Sequence, residues 1–203
     1  MKFIREIHHR HSMRLRGFDY SSPGYYFVTI CTQNRECIYG TVSQDVMMLD
    51  NAGKMVKTEW SRLAQRFTHL RLDNFVIMPN HFHGIIQIKG EQPFQAISDY
   101  VKNRVRICNN TESTTPPPGT PPNSISRILQ AFKSISTVNY CEAVRRDHWP
   151  PFEKHLWQRN FYDHIIRNAD ELEIMREYIL NNPANWQKDE DNPINIKKYN
   201  KPG

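Results

Sequence analysis

The chain has 203 residues, 38% of them hydrophobic, and a formal net charge of +6, with a pI near 9.2 and a mean hydropathy of −0.70. That length suits one domain with extensions; no apolar run approaches a membrane span, and Met1–Arg16 lacks the apolar core of a signal peptide. The basic balance favours an anionic partner, nucleic acid first, and Cys31, Cys37, Cys108 and Cys141 lack CxxC spacing, which reads as reduced cytoplasmic thiols rather than a disulfide frame or zinc site.

Residues 1–24 read as a basic arm crowded with Lys2, Arg5, Arg10, Arg14 and Arg16. Its His8-His9-Arg10-His11 run has the composition of a metal cluster, but in a terminal arm such a run is more often incidental. After the Pro23-Gly24 turn, Tyr25–Thr32 is aromatic and β-branched and predicts a buried strand. Glu36–Leu49 predicts a small hairpin around Gly40. Asp50-Asn51 then caps a helix to about Arg66, whose Met55, Val56, Trp60, Leu63, Ala64 and Phe67 recur at three- and four-residue steps. Phe75–Met78 and His81–Ile88 predict two strands joined by the Pro79-Asn80 turn.

Asn103–Asn123 changes character to polar and proline-rich, an insert or linker centred on about 107–123. Ser124 caps a helix to about Tyr140 with Ile125, Ile128, Leu129, Phe132 and Ile135 as its apolar stripe. His155–Gln158 reads as a short strand, and Phe161 to about Asn168 as a helix with Tyr162 near its start. Asp170 caps a further helix, Glu171–Leu180, ended by Asn181-Asn182-Pro183, and 187–203 is a polar tail. The series β-α-β-β-α-β predicts one α+β domain over 25–186. Its expected fold is ferredoxin-like (split βαβ), an antiparallel sheet with helices on one face and extra C-terminal helices.

The chemistry concentrates in two places. Histidines at i and i+2 of a strand share a face, so His81 and His83 can hold a divalent metal while Phe82 points to the core. Tyr162 sits among Arg145, Arg146, Lys154, Arg159 and Arg167. A tyrosine beside a metal is a sensible nucleophile for a phosphodiester when the cut end must be kept, because its ester stores the bond for rejoining. Taken singly, each feature also has a plainer reading: hydrogen-bonded core histidines, and an aromatic packing residue.

The surroundings resemble a known family. Arg14-x-Arg16-Gly17-x-x-Tyr20 followed by Tyr26–Thr32, then Phe75–His83, then Trp157–Arg167, then Tyr178-Ile179-x-x-Asn182-Pro183-x-x-Trp186 are similar to motifs of the REP-associated tyrosine transposases. These belong to the single-tyrosine HUH transposases, named for a His-hydrophobic-His triplet. The resemblance runs from about residue 14 to about residue 186. It implies a ferredoxin-like fold, Tyr162 as nucleophile, and His81 and His83 as ligands of Mg²⁺ or Mn²⁺. Single-tyrosine relatives often add a glutamine ligand one turn after the tyrosine; here Ile166 stands there, with Asp163 and His164 as polar neighbours.

The implied activity is metal-dependent cleavage and rejoining of single-stranded DNA near hairpins (REP-like palindromes) through a 5′-phosphotyrosine, by a monomer or homodimer. Arg14, Arg16, Lys133, Arg159 and Arg167 are the expected DNA contacts. The alternative is a catalytically silent hairpin DNA- or RNA-binding module of the same fold. A structural zinc site is weaker, since no cysteine pair or further spaced histidine completes a tetrahedral set.

Overall fold

The computed structural model describes residues 14, 15, 17–91, 94, 120, 121 and 123–195. The His8-His9-Arg10-His11 run, Arg16, nearly all of the proline-rich insert and the end of the tail lie outside the described residues. Among the described residues, strands and α-helices follow in the order β1 (Gly24–Cys31), β2 (Gly40–Ser43), β3 (Val46–Leu49), α1 (Asn51–Arg66), β4 (Leu70–Ile77), β5 (His81–Ile88), α2 (Ile125–Asp147), β6 (Tyr162–Ile166) and α3 (Ala169–Asn185). A 3₁₀ turn, Trp186–Lys188, follows α3 directly. Among the described residues no helix is long and apolar enough to cross a membrane.

The main sheet runs β4-β5-β1-β6 with every neighbouring pair antiparallel, and β2-β3 form a separate ribbon. Taken in chain order, the main-sheet strands stand second, third, first and fourth across the sheet, which is the split βαβ arrangement. The fourth strand is not the expected one. His155–Gln158 makes only a single bridge, Thr32 to Trp157, and the segment expected as a helix, 161–168, supplies β6 instead. Five residues from Tyr162 to Ile166 pair along β1, and alternate members face opposite layers. Edge pairing thus outweighs a helical preference too short to nucleate by itself.

Alternation along the strands divides the molecule into two layers. Tyr26, Val28, Ile30, Phe82, Ile86 and Ile165 face α1 and α2. There Asp50 caps α1 by accepting from the Gly53 amide at 2.9 Å, and Ser124 caps α2 by accepting from the Arg127 amide at 3.3 Å. Trp60 of α1 lies 4.3 Å from the Phe82 ring and meets Phe132 of α2 edge-on at 5.3 Å. Gly84 permits this contact: a Cβ there would stand 2.8 Å from both the Phe82 and Trp60 rings. Each such side chain, fully buried, contributes about 1.5–3 kcal/mol.

The opposite face is covered by α3. Leu172, Met175 and Ile179 pack on Phe27, Ile85 and Ile166. Asn168 caps α3 by accepting from the Glu171 amide, one residue pair earlier than the expected cap at Asp170. The helix also continues past the expected stop, with Pro183 inside its last turn. Two contacts tether it to both sheet edges: an ion pair from Arg176 to Asp73 of β4, and a hydrogen bond between Glu171 and His164 of β6 at 2.7 Å. Burial alone raises the Asp73 carboxyl, but the Arg176 guanidinium and the Asn74 amide outweigh it and hold Asp73 below its ordinary value.

Candidate active site

His81 and His83 emerge from the α3 face at the start of β5, and both are buried. Their rings lie 4.6 Å apart. The tautomer of His81 follows from its neighbour. Asn80 Nδ2 donates to two backbone carbonyls, of Arg35 and Asp191, so its Oδ1 is the acceptor for His81 Nδ1–H at 2.9 Å. That leaves the lone pair of His81 on Nε2, a buried atom with no hydrogen-bond partner. It looks onto Asp189 Oδ2 at 3.7 Å. His83 Nδ1 is 2.8 Å from Thr29 Oγ1, its cross-strand neighbour on β1.

His81, His83 and Asp189 bring three ligand atoms within 4.8 Å of one another. The fit to a divalent cation rests on the unpartnered His81 Nε2, which is aimed at a carboxylate with a proton already fixed on the far side of the ring. Two imidazoles and one carboxylate suit Mn²⁺ and its transition-metal neighbours better than Mg²⁺, which prefers oxygen. Asp189 is the candidate ligand that sequence reasoning missed, because it lies in the segment read as a polar tail. The expected position Ile166 is fully buried in the apolar cluster beneath α3. Asp163 points to the other layer and pairs with Arg14 at 3.1 Å, while His164 is held by Glu171.

Two tyrosines approach from different elements. Tyr178 of α3 has its hydroxyl 3.4 Å from His83 Nε2 and its ring edge-on to His83 with centroids 5.2 Å apart. Burial, then the carboxylates of Asp189 and Asp191, push its phenol far above the ordinary value. One helical turn further on, Asn182 is buried with an Oδ1 that has no hydrogen-bond partner. Tyr162 is the first residue of β6, not a helix residue, and pairs with Thr29, which pairs in turn with His83. It therefore shares the site's face but stands two strands from His83, roughly 10 Å by backbone spacing. The motif Tyr178-Ile179-x-x-Asn182-Pro183 carried the signal for Tyr178.

The expected DNA contacts divide similarly. The Arg14 guanidinium lies over the rings of Tyr20 and Phe161, at 5.1 and 4.9 Å, as well as bonding Asp163. Burial, only partly offset by Arg14, raises the Asp163 carboxyl. Lys133 turns inward, its ammonium donating to the carbonyls of Gln158, Arg159 and Asn160 at 2.8, 3.3 and 3.0 Å. Burial draws that amine down to about 8, still above neutrality, so the charge that serves three acceptors is present at pH 7. Arg159 is exposed beside Lys154 on an open cleft of about 640 Å³ floored by Leu156 and Trp157. Arg167 is exposed past the far end of β6, about 17 Å along the strand from Tyr162.

No protein-family model matches this chain. A Haemophilus influenzae (strain Rd) protein, described only as uncharacterised, is 36% identical over 189 residues, which span 93% of this chain and 96% of its own. Among solved structures, a REP-associated tyrosine transposase bound to a REP hairpin superposes with a TM-score of 0.51 at 15% identity, covering 86% of this chain and 73% of that one. At that identity the likeness speaks for a shared fold.

Proposed function

We propose that this chain, which belongs to one family with the Haemophilus influenzae protein and has the fold of a REP-associated tyrosine transposase, is a metal-dependent nuclease and strand transferase acting on hairpin-bearing single-stranded DNA. The observation that carries the reading is the Tyr178 hydroxyl standing 3.4 Å from His83 within the His81, His83, Asp189 cluster. A nucleophile, a cation site and a water-poor setting meet at that point.

Of the two tyrosines we infer that Tyr178 is the nucleophile, in preference to Tyr162. His81, His83 and Asp189 would hold the cation, with the Asn182 amide one helical turn beyond Tyr178 as a further candidate donor. A divalent cation bound there supplies positive charge to the phosphate oxygens and to the nearby phenol. The chain's own part is to hold the Tyr178 oxygen over the cluster through α3, which the Arg176–Asp73 ion pair and the Glu171–His164 hydrogen bond fix to both sheet edges. The phenol oxygen bonds to phosphorus, the bond to the 3′ oxygen breaks, and the proton leaves with the released 3′-hydroxyl. The product is a 5′-phosphotyrosine that a 3′-hydroxyl can later attack. Lys154 and Arg159 on the open cleft offer phosphates a basic rim, with Lys133 bracing the loop that carries Arg159.

The test is incubation of the full chain with Mn²⁺ and hairpin-bearing single strands, read as a detergent-stable protein–DNA adduct. The expected result is an adduct in wild type and in Tyr162→Phe and none in Tyr178→Phe. Adduct loss only in Tyr162→Phe would return the nucleophile to β6. Tight hairpin binding without any adduct would assign the chain to nucleic-acid binding alone.

A further inference from the structure

Asp189 reaches the histidines on a short strap after α3, and long-range contacts decide where that strap lies. Asn80, fully buried, donates through Nδ2 to the carbonyl of Asp191 at 2.7 Å while its Oδ1 accepts from His81. One amide therefore touches a histidine of the cluster and the strap that carries the carboxylate. Arg35 Nε donates to Asp191 Oδ1 at 2.7 Å, with both side chains largely shielded. The turn that carries Arg35 is itself unusual: Asn34 and Arg35 both adopt left-handed backbone, φ 55° and 56°, a conformation disfavoured for non-glycine residues. The Asp191 amide then donates to Asp189 Oδ1 at 2.7 Å. That bond occupies one carboxylate oxygen and leaves Oδ2 facing His81.

We propose that Arg35, Asn80 and Asp191 form a latch that positions Asp189 against His81 and His83, so that metal affinity is set by contacts that touch neither metal nor substrate. The inference rests on the reading of His81, His83 and Asp189 as metal ligands. A tie of purely structural importance would lower stability when cut and leave the metal affinity of the folded protein alone. A latch acts through Asp189, so its effect must vanish once Asp189 is gone. By linkage, metal binding must also quiet the strap.

The experiment is titration of the full chain with Mn²⁺, followed by electron paramagnetic resonance of the free ion, for wild type, Arg35→Ala, Arg35→Lys, Asp189→Ala and the Arg35→Ala/Asp189→Ala pair. Hydrogen exchange of residues 187–195 accompanies it. The latch predicts that Arg35→Ala weakens Mn²⁺ binding by about 10-fold or more, that Arg35→Lys recovers most of the loss, and that Arg35→Ala adds nothing in the Asp189→Ala background. Exchange across 187–195 rises in Arg35→Ala and falls in wild type with Mn²⁺. Should Arg35→Ala fail to fold, Asp191→Asn, which removes the charge and keeps the shape, carries the same comparison. Unchanged affinity in Arg35→Ala beside a weakened Asp189→Ala overturns the latch alone. A wild-type chain that does not bind Mn²⁺ overturns the ligand reading and the latch with it.

Discussion

The two faces of the main sheet are built from the same strands by alternate residues, yet they are organised on different terms. Toward α1 and α2 the sheet presents Tyr26, Val28, Ile30, Phe82 and Ile86, met by Trp60 and Phe132. That layer is built mainly of apolar rings and branched chains, although the buried Trp60 Nε1, Tyr39 hydroxyl and Asp163 Oδ2 on it also lack hydrogen-bond partners. Toward α3 the same strands present Thr29, His81 and His83 beside a smaller apolar group of Phe27, Ile85 and Ile166. On this face the buried polar atoms without a hydrogen-bond partner are His81 Nε2, within the cluster of His81, His83 and Asp189, and Asn182 Oδ1, one helical turn after Tyr178. Such atoms cost stability when they stay unsatisfied, and what sets this face apart is that His81 Nε2 looks onto a carboxylate beside a second imidazole, a donor set that suits a cation rather than packing. Along β5 the division falls residue by residue, with Phe82 serving one layer and the flanking histidines the other.

The sharpest way to break this comparison is chemical. Tyr178→Phe removes one oxygen from the α3 face; strand-cleavage rate should fall by more than about 1,000-fold, while Tyr162→Phe stays within about 10-fold of wild type. Gel assays of covalent adduct formation measure both. The next largest effect belongs to the opposite face. Trp60→Ala should cost about 3–5 kcal/mol in urea unfolding by leaving a cavity against Phe82 and Phe132, with Mn²⁺ affinity of the folded fraction unchanged.

Metal linkage sharpens the contrast further. Mn²⁺ at about 100 times its Kd should raise wild-type stability by about 2.7 kcal/mol, visible as a higher melting temperature, and the rise should disappear in His81→Ala/His83→Ala. The smallest effect concerns the tether of α3. Asp73 is held below its ordinary carboxyl value in the folded chain, so the unfolded chain binds more protons as pH falls. Its contribution is present above the unfolded value of about 3.9 and is lost as pH drops through the lower folded value. Asp73→Asn should flatten that part of the acid unfolding curve.

The legible parts of the molecule were those with local periodicity. His81-Phe82-His83 announces its two faces by alternation alone, and the Pro79-Asn80 turn, the Asp50 cap and the Ser124 cap stand where the side chains say they should. The 161–168 segment misled because six residues holding Phe, Tyr and paired Ile fit a short strand or a helix turn equally well; pairing with β1 decides it. That choice also bears on the proposed site: with 161–168 read as a helix, Tyr162 had a turn on which to seek a third ligand, whereas as the first residue of β6 it has none. Asp189 could not be read locally. Its place depends on Asn80, more than a hundred residues earlier, reaching the strap through Asp191, and no pattern within 187–203 reports such a contact.

The most direct measurement is to locate the covalent bond itself. The adduct formed with Mn²⁺ and a hairpin-bearing single strand is digested with trypsin and nuclease, and the nucleotide-bearing peptide is sequenced by mass spectrometry. The account predicts the nucleotide on Tyr178, in the peptide that follows Arg176. A nucleotide on Tyr162, in the peptide that follows Arg159, would contradict it.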